Sequence, residues 1–423
     1  MGKKVKTERM KAASKREATE AFRVATECGC GLTKGSESPL TTEANQIGLS
    51  SSEREQARTK FKSEKLILVL LLVWGLVACG GHRVGKETAD GDTLNLRYAR
   101  NLTIVEYPEY TKVTIRNPWD TTRVLNSYTL VKESGGKKGE VVVPLKNAAV
   151  FTSVHCSLLM ELGCQECIGG ICELEYIHIP YVHKGVKEGR ILDLGNGMEP
   201  NLERIMDLQP DAIMLSPFEN SGGYGRLERM GIPLIECAEY MENSPLARAE
   251  WIRFYGRLFG KAELVDSLFL QVEHSYLQLR EAASHAKQKP RLICEMPQSG
   301  YWYVPGGKST MGIMYHDAGA DYLFSDVEGS GSTALSIERV LDRALTAQVW
   351  LIKHHGPLNK EQILQDVPAL RNVKAKICLC DTYNSGFYEQ TPFHPDVLLR
   401  NLIHILHPEL GIKEEKAYFC PLE

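Results

Sequence analysis

The sequence predicts an α/β protein of two Rossmann-like lobes joined by a single long rigid α-helix, with a ligand cleft between the lobes. Three observations lead there. Two stretches repeat a pattern, Asn201-Leu202-Glu203-Arg204-Ile205-Met206-Asp207 and Ser336-Ile337-Glu338-Arg339-Val340-Leu341-Asp342. Each opens on a helix-capping residue type, places a glutamate two positions later, and leads to an apolar segment, Ala212 to Leu215 or Val349 to Ile352. Strands and helices also alternate from about Ala148 onward, the pattern that builds a mainly parallel sheet. Finally, Ala262 to Ala286 contains no Gly or Pro, and Leu264, Val265, Leu268, Phe269, Val272, Tyr276 and Leu279 recur mostly at spacings of three and four. At about 1.5 Å per residue such a helix spans roughly 37 Å, about the width of one lobe.

Taken in order, residues 1–61 are polar and contribute nothing to a fold, so they read as an N-terminal extension. Residues 62–78 place Lys62 and Lys65 ahead of the uncharged run Leu66 to Ala78, too short for a transmembrane helix but suited to a secretory signal. Leu76-Val77-Ala78-Cys79 resembles a bacterial lipobox, which implies a lipidated Cys79 and a tether over 79–92. Residues 93–144 read as a small β-rich segment, with strands at Leu102–Val105, Tyr110–Ile115, Val124–Val131 and Glu140–Pro144.

The N-terminal lobe, 145–243, takes a strand at Val150–Thr152, a helix at Val154–Leu162, a strand at Ile168–Cys172, a helix at Leu202–Leu208, a strand at Ala212–Leu215, a helix at Tyr224–Met230 and a strand at Pro233–Glu236. Connecting helices with the spine occupy 244–289, and the C-terminal lobe 290–423. There the strands are Arg291–Cys294, Tyr301–Val304 and Val349–Ile352, and the helices Met311–Gly319, Ser336–Ala344 and Asn359–Asp366.

Apolar content of 43% and charged content of 24% supply an ordinary globular core. Beyond residue 78 the chain holds 36 basic and 44 acidic residues, a formal net of −8, which argues against a nucleic-acid partner. Hydrolytic chemistry has no support, since neither G-x-S-x-G nor H-E-x-x-H occurs and no catalytic residue is assigned. Gly306-Gly307-Lys308-Ser309 lacks the spacing of a nucleotide phosphate loop, although its backbone N–H groups could face an anion.

Over about residues 145–410 the chain resembles the substrate-binding lipoproteins of bacterial ABC importers for iron–siderophores, haem and cobalamin. The resemblance rests on Asn201 to Ile205 with Pro210-Asp211-Ala212-Ile213, on Ser244-Pro245-Leu246-Ala247-Arg248-Ala249-Glu250-Trp251, and on Asp317-Ala318-Gly319-Ala320-Asp321. Ser336 to Leu341 and His407-Pro408-Glu409-Leu410 add to it. It implies an exported, periplasmic, lipid-anchored protein that requires no cofactor and hands a metal chelate or tetrapyrrole to permease subunits. Glu203 and Glu338 are then the carboxylates that pair with arginines of those subunits. The bland reading of both is helix stability, an acid in the first turn.

In such a fold, loops at strand ends line the cleft. The candidates are Thr152, Ser153, Asn196 and Phe218 on one side, and Trp302, Tyr303 and His354 on the other. Aromatic rings suit a macrocycle or catecholate face. His354-His355 lies at a strand end, and adjacent residues of an extended segment face opposite ways, so at most one reaches the cleft.

Two rival readings remain. Cys164-Gln165-Glu166-Cys167 fits a thiol-redox enzyme or a zinc half-site, against structural disulfides or buried thiols. A receptor binding zinc or manganese directly would draw on His155, His178, His183, His316 and His354, whose spacing names no site.

Overall fold

The computed structural model describes residues 91–219, 223–366 and 368–422; the expected signal segment and Cys79 lie outside the described residues. The described residues belong to one compact unit. Within it the first lobe holds a parallel sheet in the order Leu234–Glu236, Ala212–Leu215, Ala148–Val150, Ile168–Ile171, Leu192–Asp193. The central strands are buried on both faces, as a parallel sheet covered by helices requires. The second lobe is built in the order Asp321–Tyr322, Arg291–Cys294, Val349–His354, Lys376–Asp381, Cys420–Pro421, parallel except for the last pair.

The repeated motif folds the same way in both lobes. Asn201 accepts from the backbone N–H of Arg204 and opens Leu202–Leu208; Ser336 accepts from the N–H of Arg339 and opens Ile337–Ala344. Each cap satisfies one of the orphan donors of a helix start.

Ala262–Ser284 is one uninterrupted helix of 23 residues. Its buried stripe runs Val265, Phe269, Val272, Tyr276, Leu279, Ala283. Val265, Phe269 and Val272 belong to the core of the first lobe, whereas Tyr276, Leu279 and Ala283 belong to the core of the second. One apolar stripe thus serves two cores in succession. Helix Ile252–Leu258 meets the first half closely, because a Cβ on Gly256 would fall 2.3 Å from a Val265 methyl. Only glycine fits there.

Residues 92–142 form a five-stranded sheet, antiparallel except for its last pair. Its inward residues Ile104, Val113, Ile115, Tyr128 and Leu130 share a single core with the first lobe. Tyr128 fixes the join: its hydroxyl donates to the Leu234 carbonyl and accepts from the Glu236 N–H. Two buried carboxylates tie the preceding segment down. Glu250 accepts the backbone N–H groups of Arg97, Tyr98 and Ala99, and Glu242 those of Arg100 and Asn101 together with the Trp251 indole. Buried carboxylates with several donors each are satisfied rather than strained.

One expected helix is corrected. Tyr224–Met230 is only a 3-10 turn over Glu228–Met230. Gly223 and Gly225 adopt positive φ, and Glu228 takes the Tyr224 N–H, so the chain turns where apolar spacing alone reads helix.

Candidate functional site

In open parallel sheets, ligand sites form beyond the carboxyl ends of the strands where the strand order reverses. In the first lobe that point lies between Ala148–Val150 and Ala212–Leu215, and the residues that follow are Thr152, Ser153 and Ser216 to Phe218. In the second lobe it lies between Arg291–Cys294 and Val349–His354. There Glu295 stands at φ +65, an uncommon left-handed conformation for glutamate, and its carboxylate pairs with Lys353 Nζ at 3.0 Å. Both reversal points contribute to one interlobe cavity of about 50 Å3, lined by Val154 from the first lobe, Pro245 and Arg248 from the connecting helices, and Thr310, Lys353, Phe387 and Tyr388 from the second.

The lobes are held together around that cavity. His178 of the first lobe packs against Tyr383 of the second at 3.9 Å between ring centroids, the rings tilted by 50°, and His355 lies 5.1 Å from the same tyrosine and 6.3 Å from His178. Phe393 of the second lobe is buried in the core of the first, against His155 and Tyr255. Next to it His394 Nε2 meets Glu161 at 2.8 Å. Burial lowers the pKa of His394, but the Glu161 bond and charge outweigh it and raise the ring above its ordinary value.

A raised histidine stabilises the folded arrangement fully below its unfolded pKa, near 6.5, and the gain fades as pH rises through the raised value. Alkaline conditions therefore loosen this cross-lobe contact, by about 1 kcal/mol once solvent screening is allowed for. The hydrogen-exchange protection of Phe387–Gln390, measured relative to the intrinsic base-catalysed rate at each pH, should fall between pH 6 and pH 9, and His394→Gln should flatten that fall.

The first lobe also buries an ion pair. His155 Nε2 lies 3.6 Å from Glu239, Thr152 contacts Nδ1, and the Tyr255 hydroxyl donates to the other Glu239 oxygen at 2.5 Å. Burial alone lowers the imidazole, but the adjoining Cys237 and Glu239 outweigh it and raise the pKa to about 10. Burial likewise raises Glu239, and His155 overrides it to hold the carboxyl at about 2.

The sequence-derived site residues scatter around this picture. Thr152 caps Ser153–Glu161, and Ser153 begins that helix; both sit at the reversal point. Phe218 is half-buried on the neighbouring loop, where Tyr240 donates to the Pro217 carbonyl. Asn196 is exposed in a small hairpin, its amide oxygen accepting from Met198 and Glu199. Tyr303 is half-buried opposite Ala334. Trp302 does not line the cleft: it is fully buried, donates to the Cys294 carbonyl and packs on Trp350. Its strand alternates, and Trp302 with Val304 takes the core face. Of the two adjacent histidines, His355 joins the cross-lobe rings, whereas His354 Nδ1 contacts the Gly356 carbonyl. Glu203 and Glu338 are both exposed, one on each lobe.

In the loop Gly306 to Ser309 three of the four backbone donors are already taken within the chain. Gly306 and Gly307 donate to Gly331 and Val327, Ser309 donates to Gly306, and a Cβ on Gly307 would strike the Ser325 carbonyl at 2.0 Å. The glycines permit close packing of backbone on backbone. Cys164 and Cys167 do not suit redox catalysis, because burial raises both thiols where a reactive thiolate needs a lowered pKa. All nine cysteines of the described residues are free. Among the described residues no three His, Cys, Asp or Glu side chains gather into a metal cluster. His183 Nε2 contacts the Ile177 carbonyl, and His316 pairs with Asp317 on the surface. Arg248, Lys353 and Tyr383 went unassigned from sequence, and His178 was considered only as a metal ligand and His355 only as an alternative to His354. The only signal was position: His355 and Lys353 flank a strand end, and Arg248 sits inside the quoted Ser244 to Trp251 motif.

Residues 179–377, a stretch that reaches into both lobes, match the periplasmic binding protein family. The chain is 25% identical over 360 residues to an uncharacterized lipoprotein of Methanocaldococcus jannaschii, covering 77% of this chain and 84% of the relative. It is 24% identical over 173 residues to the petrobactin-binding protein of Bacillus subtilis, covering 40% and 51%. The solved structure of that protein overlays with a TM-score of 0.52 at 18% identity, over 71% of this chain and 99% of the other. A periplasmic heme binding protein from Pseudomonas aeruginosa overlays with a TM-score of 0.53 at 13% identity, over 66% and 98%. These overlays establish the two-lobed α/β fold. No described helix is long and apolar enough to cross a membrane.

Proposed function

We propose, from the premise that this chain belongs to the periplasmic binding protein family, that it captures an iron chelate, haem or cobalamin between its lobes and delivers it to an ATP-driven importer. It is a binding protein and not an enzyme. The relatives support the ligand class: one binds petrobactin and another heme. The observation that carries the reading is the cross-lobe group of His178, His355 and Tyr383. Imidazole and phenol groups supply flat apolar faces together with nitrogen and oxygen donors that iron accepts. Drawn from both lobes, such donors would engage a guest only when the lobes approach, so that binding and closure are coupled. The helix Ala262–Ser284, shared by two cores, favours a small rocking motion over a wide swing. Lipidation at Cys79 would hold the protein at a bacterial membrane on the exported side, in keeping with a relative that is itself a lipoprotein.

Titration with ferric siderophores, haemin and cobalamin, followed by quenching of tryptophan fluorescence, tests this directly. One of the three should saturate the protein. Pairing His178→Ala with Tyr383→Phe should weaken that binding by at least about tenfold, 1.4 kcal/mol. A folded chain that binds none of them disposes of the proposal.

A further inference from the structure

We infer that Cys164 and Cys167 form an oxidation site, closing to a short-range disulfide when the chain meets a low-molecular-weight disulfide such as oxidised glutathione. The inference goes beyond the ligand reading and takes from it only the exported location, an oxidising compartment. The fold places the pair for this chemistry. Cys164 caps a 3-10 turn over Gln165–Cys167, and the Cys167 N–H donates to the Cys164 carbonyl at 2.9 Å. A hydrogen bond of that span brings the two Cα atoms within about 7 Å, the separation that disulfides bridge. The two side chains are themselves hydrogen-bond partners, so their sulfurs face one another.

Access sets the order of events. Cys164 is buried and Cys167 half-buried, so the reagent meets Cys167 first. Of the other described cysteines, all but Cys420 are fully buried. The Cys167 thiolate attacks one sulfur of oxidised glutathione, the glutathione S–S bond breaks, and one glutathione leaves as its thiolate. The Cys164 thiolate then attacks Cys167 Sγ and expels the second glutathione. Two cysteine thiols are oxidised, one glutathione disulfide is reduced, and the two cysteine protons end on the two glutathione thiols. Burial raises both cysteine thiols, with the Lys261 ammonium working against it, so closure is slow and quickens as pH rises. A catalyst would need a lowered pKa; a bond made once does not. The turn joins helix Ser153–Glu161 to strand Ile168–Ile171, and Glu161 is the residue that meets His394 of the second lobe. The bridge therefore fixes the carboxyl end of a helix that carries a cross-lobe contact.

The test treats the folded full chain with oxidised glutathione, then alkylates it with N-ethylmaleimide in denaturant and places each modification by mass spectrometry. Because alkylation follows unfolding, protection reports oxidation rather than burial. Cys164 and Cys167 should both be protected, carry no glutathione, and become alkylatable again after dithiothreitol. Closure at pH 9 should outpace closure at pH 7 by at least about tenfold, following the thiolate fraction. In Cys164→Ser the second attack is impossible, so Cys167 should retain one bound glutathione, with the melting temperature confirming that the variant is folded. The wild-type measurement decides the matter without any variant. Two thiols that stay alkylatable, a wild-type Cys167 that keeps its glutathione, or a bridge from either residue to another cysteine overturns the site. A chain that closes this bridge but binds no siderophore, haemin or cobalamin retains the site and loses the chelate reading. The converse result removes the site alone.

Discussion

Reversing the charge at Glu203 and Glu338 together, Glu203→Lys with Glu338→Lys, is expected to abolish ligand uptake in cells while leaving ligand affinity and melting temperature almost unchanged. The two carboxylates occupy equivalent positions on different lobes, each in the first turn of a helix capped two residues earlier, and both are exposed. Neither makes an ion pair among the described residues, so the folded chain gives them little to do. Their only internal role is the interaction of an acid with a helix N-terminus, worth about 0.3–1 kcal/mol each. That predicts a melting shift of a few degrees at most for the double variant. A directional arginine–carboxylate contact at each end of a docking surface would instead lose its attraction and gain repulsion, and truncation of such contacts costs about 2–5 kcal/mol. Single reversals should give intermediate uptake, because one of the two lobes retains its contact. Uptake that survives the double reversal in a folded, ligand-competent protein would falsify the docking role, leaving the helix-dipole explanation.

The features legible in the sequence were those that depend on neighbours a few positions apart. The Ala262–Ser284 helix declared itself because a stripe spaced by three and four is a local property, and the same stripe turned out to feed two cores. The paired caps at Asn201 and Ser336 were equally local, each needing only a donor three residues on. Trp302 shows the limit. A strand's alternation says which residues share a face, and Tyr301 and Tyr303 do oppose Trp302, but nothing in a five-residue segment says which face meets the core. The same ambiguity separated His354 from His355. The interlobe groups were illegible for a different reason. Arg248 and Lys353 lie more than a hundred residues apart, as do His178 and Tyr383, and only the folded chain brings them together. Residues 92–142 read as an appendage for want of a long-range partner. The hydroxyl of Tyr128, bonded to the edge strand Leu234–Glu236, is what makes them part of the first lobe.

Replacing Glu239 by Gln is expected to cost about 3–5 kcal/mol of stability at neutral pH, because it strands the buried His155 imidazolium without a counter-charge. The pH dependence distinguishes this from a simple packing defect. For His155 the folded pKa, about 10, lies above the ordinary 6.5, so its contribution is complete below 6.5 and is lost as pH climbs to 10. For Glu239 the folded pKa, about 2, lies below the ordinary 4.5, so its contribution is complete above 4.5 and is lost as pH falls to 2. The two describe one shared interaction, present in full between about 4.5 and 6.5, and they are not to be added. Chemical denaturation of the wild type from pH 6 to pH 10 should therefore show a falling midpoint, and Glu239→Gln should remove most of that slope as well as lowering stability at pH 6. Tyr255, whose hydroxyl donates to Glu239, controls for lost hydrogen bonding: Tyr255→Phe should cost about 1–2 kcal/mol and keep the alkaline slope. An alkaline slope that persists undiminished in Glu239→Gln would assign the cationic ring to its other neighbour, Cys237.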